Sequence, residues 1–427
     1  MELQTNLEED ADLNDITKKK NKRSSKSLIM KKLSCFRSSD YGHPTIEAVD
    51  NHGNVDMESA STVADKDHCP THLVVMVNGL IGSARNWRFA AKQFLKKYPK
   101  DLIVHCSRRN SALATLDGID VMGSRLADEV ISVIARNPNV EKISFIGHSL
   151  GGLISRYAIA KLYTQNQTYQ DRSGKIAGIE AINFITVATP HLGSRGHRQV
   201  PMFCGVRGLE KVGYHSSVVV RRTGRHLYLK DKANGQTPLL VQMANDSQDL
   251  KFISALQSFK RRVVYANVHS DHLVGWSTSS IRHQIQLPKI KNLVRSGRYP
   301  HILKEDAENI TKQETSLDPQ PKTHKKTKTA TATMEEMMIK GLSKISWERV
   351  DVSFKGSKQR YLAHNTIQAS IMLKSLLTNS NMRNKLTATF LNPFVCLFNY
   401  WHRQVNTPWM NSDGADVIQH MVDNFLV

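Results

Sequence analysis

The 427-residue chain has only five cysteines, Cys35, Cys69, Cys106, Cys204 and Cys396, widely spaced and without a CxxC pair. Such a set gives no zinc site or disulfide framework and points to a reducing compartment. No segment reaches the roughly 20 apolar residues needed to span a bilayer, so a membrane-spanning chain is not expected. The opening "LEEDADLND" is acidic and no apolar run follows the first lysines, so a secretory leader is not expected. A transit peptide, normally acid-poor, fits badly, although plastid targeting stays open. The expected location is cytoplasmic, with room for peripheral attachment to a membrane. Acidic residues are scarce overall: 38 Asp and Glu stand against 59 Lys and Arg, a net charge of +21. That excess favours anionic partners without choosing among them. The basic N-terminal tail has no interleaved aromatic platform and no recognition helix, which argues against a nucleic-acid-binding module.

Residues 1–70 read as a basic, disordered tail: "KKKNKRSSKSLIMKKLSCFR" carries nine cations and no acid. Its few apolar side chains also suit contact with an anionic membrane. From 71 onward short apolar runs alternate with helical spacing. "THLVVMVNG", "DLIVHCS", "KISFIG" and "IEAINFITVATP" read as buried strands; "NWRFAAKQFLKKY", "GSRLADEVISVIARNP" and "GGLISRYAIAKLY" read as amphipathic helices. This alternation predicts an α/β domain over 71–427 with a mostly parallel sheet covered on both faces. Within it, 191–260 reads as a cap or insertion with one short strand and a helix near "DLKFISALQSFK". Residues 304–332 read as a polar, disordered excursion, and order is expected to resume at "ISWERVDVSF". "GADVIQHMVDNFLV" reads as a closing helix.

The motif "GHSLGG", Gly147 to Gly152, sets Ser149 between a strand and a helix. A serine on so sharp a turn forces neighbouring side chains together, so Gly147 and Gly151 relieve a collision and expose the hydroxyl as a nucleophile. Gly152 adds close helix-to-strand approach. A hydroxyl needs a base, and the imidazolium formed needs an oriented anion. His148, adjacent on the turn, suits packing or hydrogen bonding instead. In this architecture the acid and then the histidine follow on loops after later strands. Asp271, directly after "RRVVYANVHS", meets the condition for the acid; Asp246 and Asp249 flank a helix start, where carboxylates serve as caps. His364 meets the condition for the base, with His420 and His272 as alternatives. The oxyanion needs N–H donors: Leu150 follows the nucleophile, and Leu80 lies in the loop "VNGLIGS", where Gly79 and Gly82 permit close approach.

The segments "VNGLIGS", "GHSLGGLISRYAIAKLY", "FITVATPHLGSRG", "YANVHSDHLVGW" and "LAHNTI" together resemble the putative serine esterase family of α/β-hydrolases, especially its plant lipase-like members, from about Thr71 to the C-terminus. The resemblance implies an α/β-hydrolase fold, an acyl-ester hydrolase and a Ser149, Asp271, His364 triad. Two departures stand out. Asn78 occupies a position where related sequences commonly have histidine, and an amide cannot reproduce an imidazole's tautomers or charge. Residues 376–409, with the apolar "FLNPFVCLFNYW", form an atypical insertion. The expected chemistry is two-step acyl transfer from a lipid or small acyl ester, with no cofactor or metal. Local motifs leave open an acyltransferase or thioesterase using the same triad, and a noncatalytic membrane-associated binding protein on the same fold.

Overall fold

The computed structural model describes residues 45–49, 55–59, 69–164, 174–194, 220–232, 235, 237–306, 330–369 and 412–427. Ten of its strands form one sheet in the order β1-β2-β4-β3-β5-β8-β9-β12-β11-β10. These are β1 Thr45–Val49, β2 Val55–Ser59, β3 His72–Val77, β4 Leu102–Cys106 and β5 Lys142–His148, followed by β8 Glu180–Val187, β9 Arg261–Asn267, β10 Leu293–Arg295, β11 Ile302–Glu305 and β12 Glu348–Val352. Between β5 and β8, β6 Tyr163–Thr164 and β7 Lys175–Ile176 make a separate two-stranded ribbon. The six strands from β4 to β12 run parallel; antiparallel β1–β2 and β10–β11 extend the two flanks.

Parallel strands buried on both faces are apolar along their whole length, and "HLVVMV" of β3 is buried at every position. The pleat sends Leu73, Val75 and Val77 into one core and Val74 and Met76 into the other. Helices α2 (Ile119–Arg136) and α3 (Leu150–Leu162) cover the first face. Helix α1 (Arg88–Lys97) and the C-terminal α6 (Ala415–Asp423) cover the second, where Phe94 and Phe425 meet edge to face. The chain leaves β3 for β4 on one side and returns, through α2, to β5 on the other. The strand order therefore reverses between β3 and β5, and a crevice opens at their carboxyl ends. The serine turn lies there.

The sheet and its flanking helices follow the sequence-based expectation, and the fold is α/β-hydrolase. Several elements differ from it. Two strands, β1 and β2, lie inside the stretch read as a tail; the rest of 1–68 lies outside the described residues. Helix α2 starts at Ile119, four residues before the predicted "GSRLADEV", because Gly118 at φ 105° takes a cap conformation open to glycine. The short strand expected in "GRHLYLKDKANGQTPLLVQMAND" is replaced by helices Arg221–Leu227 and Leu239–Gln242. In the stretch read as a cap, Leu227, Leu240 and Met243, with Phe252 of α4 (Phe252–Gln257), pack into the same core as α2 and α3. Helix α5 (Ala330–Leu342) precedes the strand at which order was expected to resume. Of the predicted excursion, 307–329 lies outside the described residues, as does all of the atypical insertion 376–409. Among the described residues no helix is long and apolar enough to cross a membrane.

Candidate active site

Ser149 stands alone between the end of β5 and the start of α3, with φ 53° and ψ −126°. Few non-glycine residues tolerate such a backbone, and it persists only where its surroundings impose it. Here they do: the Ser149 N–H donates to Val187 O at 2.8 Å, and three glycines let backbones close in. A Cβ on Gly147 would lie 2.6 Å from Gly152 Cα, and one on Gly151 would lie 2.3 Å from Val77 O. A Cβ on Gly152 would lie 2.2 Å from Thr189 Oγ1. The glycines of "GHSLGG" thus serve close packing of β3, β5 and α3, the collision relief expected from the sequence.

His364 lies in a four-residue helix, Ala363–Thr366, after β12. Its Nε2 is 2.9 Å from Ser149 Oγ and its Nδ1 is 3.0 Å from Asp271 Oδ2. An ionised carboxylate only accepts, so Nδ1 carries the proton toward Asp271 and Nε2 is left to accept from the serine hydroxyl. Asp271 follows β9, just past Ser270 at φ 60°. Its Oδ1 accepts from the N–H groups of Leu273 (3.0 Å) and Val274 (2.8 Å), and its Oδ2 from Asn267 Nδ2 (2.8 Å). Burial raises the Asp271 pKa, but the His364 charge and these hydrogen bonds outweigh it, so the carboxyl titrates below its ordinary 3.8. Ser149, His364 and Asp271 are 8%, 7% and 6% exposed, so water screens little of the charge that would pass among them.

The loop after β3 passes directly beneath the serine. A Cβ on Gly79 would lie 2.8 Å from Ser149 Cβ and 3.3 Å from its Oγ, so no larger residue fits. Asn78 Nδ2 donates to Asn110 O at 2.9 Å and Gly79 O at 3.2 Å, and Gly82 N donates to Gly79 O at 3.0 Å. The amide therefore ties this loop to the one after β4. Leu150 is the first residue of α3, where an N–H has no intrahelical partner, and Leu80 follows Gly79 in the tied loop.

The other acid and imidazole candidates lie elsewhere. Asp246 Oδ1 accepts from the N–H groups of Ile253 (2.7 Å) and Ser254 (3.2 Å), a cap on α4. Asp249 is exposed. His420 on α6 meets the Tyr265 hydroxyl at 3.0 Å, and His272 is half-buried beside Asp271; His364 is the imidazole within reach of Ser149. Sequence reasoning missed Asn267, whose only signal was a polar residue ending the apolar "VVYAN". It also missed Arg156 of α3, which is buried and donates to Met243 O at 2.7 Å beside His191 of "TPHLGS". Among the described residues no three His, Cys, Asp or Glu side chains converge as metal ligands would.

The strand order, the crevice at the β3–β5 reversal and a serine on a strained strand-to-helix turn define an α/β-hydrolase. Residues 67–281 match the family described as "Putative serine esterase (DUF676)", half of the chain, and the chain belongs to that family. "Putative lipase ROG1" of Saccharomyces cerevisiae is 33% identical over 218 residues, covering 49% of this chain and 28% of that protein. "Putative lipase C4A8.10" of Schizosaccharomyces pombe is 27% identical over 220 residues, covering 49% and 26%. The matched part thus spans less than a third of these relatives' own length. Among solved structures, the mature form of Bacillus licheniformis lipase BlEst2 superposes with a TM-score of 0.29 at 17% identity, covering 48% of this chain and 67% of that one. Pyrococcus furiosus esterase Pf2001 gives 0.30 at 12% identity, covering 56% and 75%. The fold follows from the strand order and the serine turn. The family match includes Ser149 and Asp271 but ends before His364.

Proposed function

We propose that the chain is a serine hydrolase of carboxylic esters, lipid esters foremost, with Ser149 as nucleophile, His364 as base and Asp271 as the anion that orients it. The observation that carries this reading is the continuous hydrogen-bonded path from Asp271 Oδ2 through His364 to Ser149 Oγ, in spans of 3.0 and 2.9 Å, within the reach that proton transfer requires. His364 Nε2 takes the hydroxyl proton as Ser149 Oγ attacks the ester carbonyl. Asp271 stabilises the imidazolium without taking its proton. The N–H groups of Leu80 and Leu150 receive the oxyanion. His364 then protonates the departing alcohol, and water releases the acyl group by the same route in reverse. Lipid as the acyl source draws on the names of the yeast relatives.

The test is twofold. A fluorophosphonate should label the wild type and leave Ser149→Ala unlabelled; equal labelling of both places the nucleophile elsewhere. Purified protein should then be offered aryl esters of increasing acyl length, acylglycerols, phospholipids and the matching thioesters. A rate that rises with chain length supports lipid esters. Faster thioester turnover, or acyl transfer to an added alcohol in place of hydrolysis, would replace that part of the reading.

A further inference from the structure

The base loop carries a second histidine contact that the proposed reaction does not itself use. His148, the last residue of β5, is 5% exposed, and its Nε2 lies 2.7 Å from the carbonyl oxygen of His364. The two rings stand 4.8 Å apart, tilted by 50°. The helix holding His364 leaves that carbonyl unused: the N–H groups of Ile367, Gln368 and Ala369 go to the oxygens of Ala363, Asn365 and Thr366. A carbonyl can only accept, so His148 Nε2 bears the hydrogen.

The preceding residue is tied from the opposite side. Asn267 Nδ2, at the end of β9, donates to Ala363 O at 3.2 Å and to Asp271 Oδ2 at 2.8 Å. The backbone of the base is therefore gripped by one donor on the nucleophile's strand and one on the acid's strand. We propose that His148 is a positioning residue: as a neutral Nε2–H tautomer it fixes the His364 main chain so that the base imidazole bridges Ser149 and Asp271. This rests on the hydrolase reading above and deepens it.

Neutrality is part of the device. Burial, and then repulsion from His364, pull the His148 pKa down to about 3. His148 thus adds no second cation beside the imidazolium that forms on His364 during acylation. A residue that must hold a carbonyl within a few ångströms of a transient positive charge needs a donor without a charge of its own. A lysine or arginine here would supply the hydrogen bond and oppose the imidazolium.

The closing experiment compares His148→Phe, which keeps an aromatic ring and loses the donor, with His148→Gln, whose amide nitrogen reaches about as far as Nε2. Displacing a reacting group by a fraction of an ångström to 1 Å lowers rates by about 10- to 100-fold. That fall is expected in kcat of the Phe variant, with KM within about twofold, and recovery of most of it is expected in the Gln variant. Undiminished kcat in His148→Phe overturns the proposal, as does equal loss in both variants, which would assign His148 to ring packing. Should either variant fail to fold, ¹⁵N NMR of the histidines in the wild type decides the matter: His148 should remain an Nε2–H tautomer from pH 5 to 9. Titration in that range, or an Nδ1–H tautomer, overturns it. Failure of the fluorophosphonate to label the wild type would bring down the hydrolase reading instead, while the tautomer measurement still decides the His148 contact.

Discussion

His364, in the central crevice, and His105, on the edge strand of the parallel block, are each hydrogen-bonded through Nδ1 to an aspartate and through Nε2 to a second oxygen. Around His105 the aspartate is Asp56, its register partner across β2 and β4, at 2.5 Å. The second oxygen is Oε1 of Glu129 on α2, at 3.1 Å. Around His364 the second oxygen is the Ser149 hydroxyl. Two carboxylates demand two N–H donors, so His105 is an imidazolium. Burial lowers its pKa, but the hydrogen bonds to Asp56 and Glu129 override that and push it up to about 9. A ring protonated on both nitrogens has no lone pair to take a proton. One carboxylate and one hydroxyl leave His364 the Nε2 lone pair. The partner on the far side of the ring decides whether a buried Asp–His pair can act as a base or as a strut.

The sharpest break between the two regions is in what their loss removes. His364→Ala should lower kcat by roughly 10⁶-fold, and Asp271→Asn, which disturbs the tautomer, by roughly 10⁴-fold. His364→Ala should unfold in urea near the wild-type midpoint. Single-turnover ester hydrolysis beside a denaturant titration checks this, and a His364→Ala enzyme within tenfold of wild type would remove His364 from the chemistry. His105→Leu should do the reverse. It removes the imidazolium between Asp56 and Glu129, leaving Arg136 Nη2 at 2.8 Å from Asp56 Oδ2 and the Ser107 hydroxyl and Arg108 N–H on Glu129, and breaking a buried ionic cluster costs about 3–5 kcal/mol. Activity per folded molecule should hold.

Alkaline titration sharpens the same comparison at lower amplitude. A histidine whose folded pKa is raised stabilises fully below its unfolded pKa, and loses that contribution as pH rises through the folded value. For His105 the window runs from about 6.5 to about 9. The wild-type melting temperature should fall across it, while His105→Gln should show a flatter profile there. Asp271, held below 3.8, acts at the other end: its contribution is present above its unfolded pKa and lost as pH falls through the depressed one. Parallel alkaline slopes for wild type and His105→Gln would mean that His105 is neutral in the fold.

The sequence made the serine region legible and hid the strut. Around Ser149 the constraint is local: a strand, a helix and three glycines within six residues specify one turn, and chain order narrows the acid and base to loops after later strands. The central strands were readable because burial on both faces leaves unbroken apolar runs. The His105 network had no such signature. His105 interrupts "LIVHC" as a single polar residue, and its partners lie 49 and 24 residues away, one of them in a stretch whose composition reads as tail. β10 and β11 were lost for a related reason: strands of three and four residues, largely exposed, carry no apolar alternation to detect. Helix α5 follows a polar lysine- and threonine-rich stretch, and its first residues share that composition, so only "MEEMMIKGL" carries a helical signal. The His148–His364 and Asn267–Ala363 contacts join a side chain to a backbone carbonyl 216 and 96 residues away, and no spacing rule reports that.

Asp246 extends the comparison to the aspartates and gives the smallest expected effect. Like Asp271, it accepts two backbone N–H groups through one oxygen, those of Ile253 and Ser254, and its other oxygen takes a side-chain donor, the Ser254 hydroxyl at 2.5 Å. The difference is the solvent and the partner: Asp246 is exposed and faces a hydroxyl, whereas Asp271 is buried and faces an imidazole. An exposed capping aspartate replaced by alanine costs about 1 kcal/mol, because water satisfies the freed N–H groups. Asp246→Ala should therefore lower stability by about that amount and leave kcat within twofold, a result read from the same denaturant titration and ester assay. A loss of 100-fold in kcat with stability unchanged would move the catalytic acid to Asp246, since exposure and capping geometry alone cannot produce it.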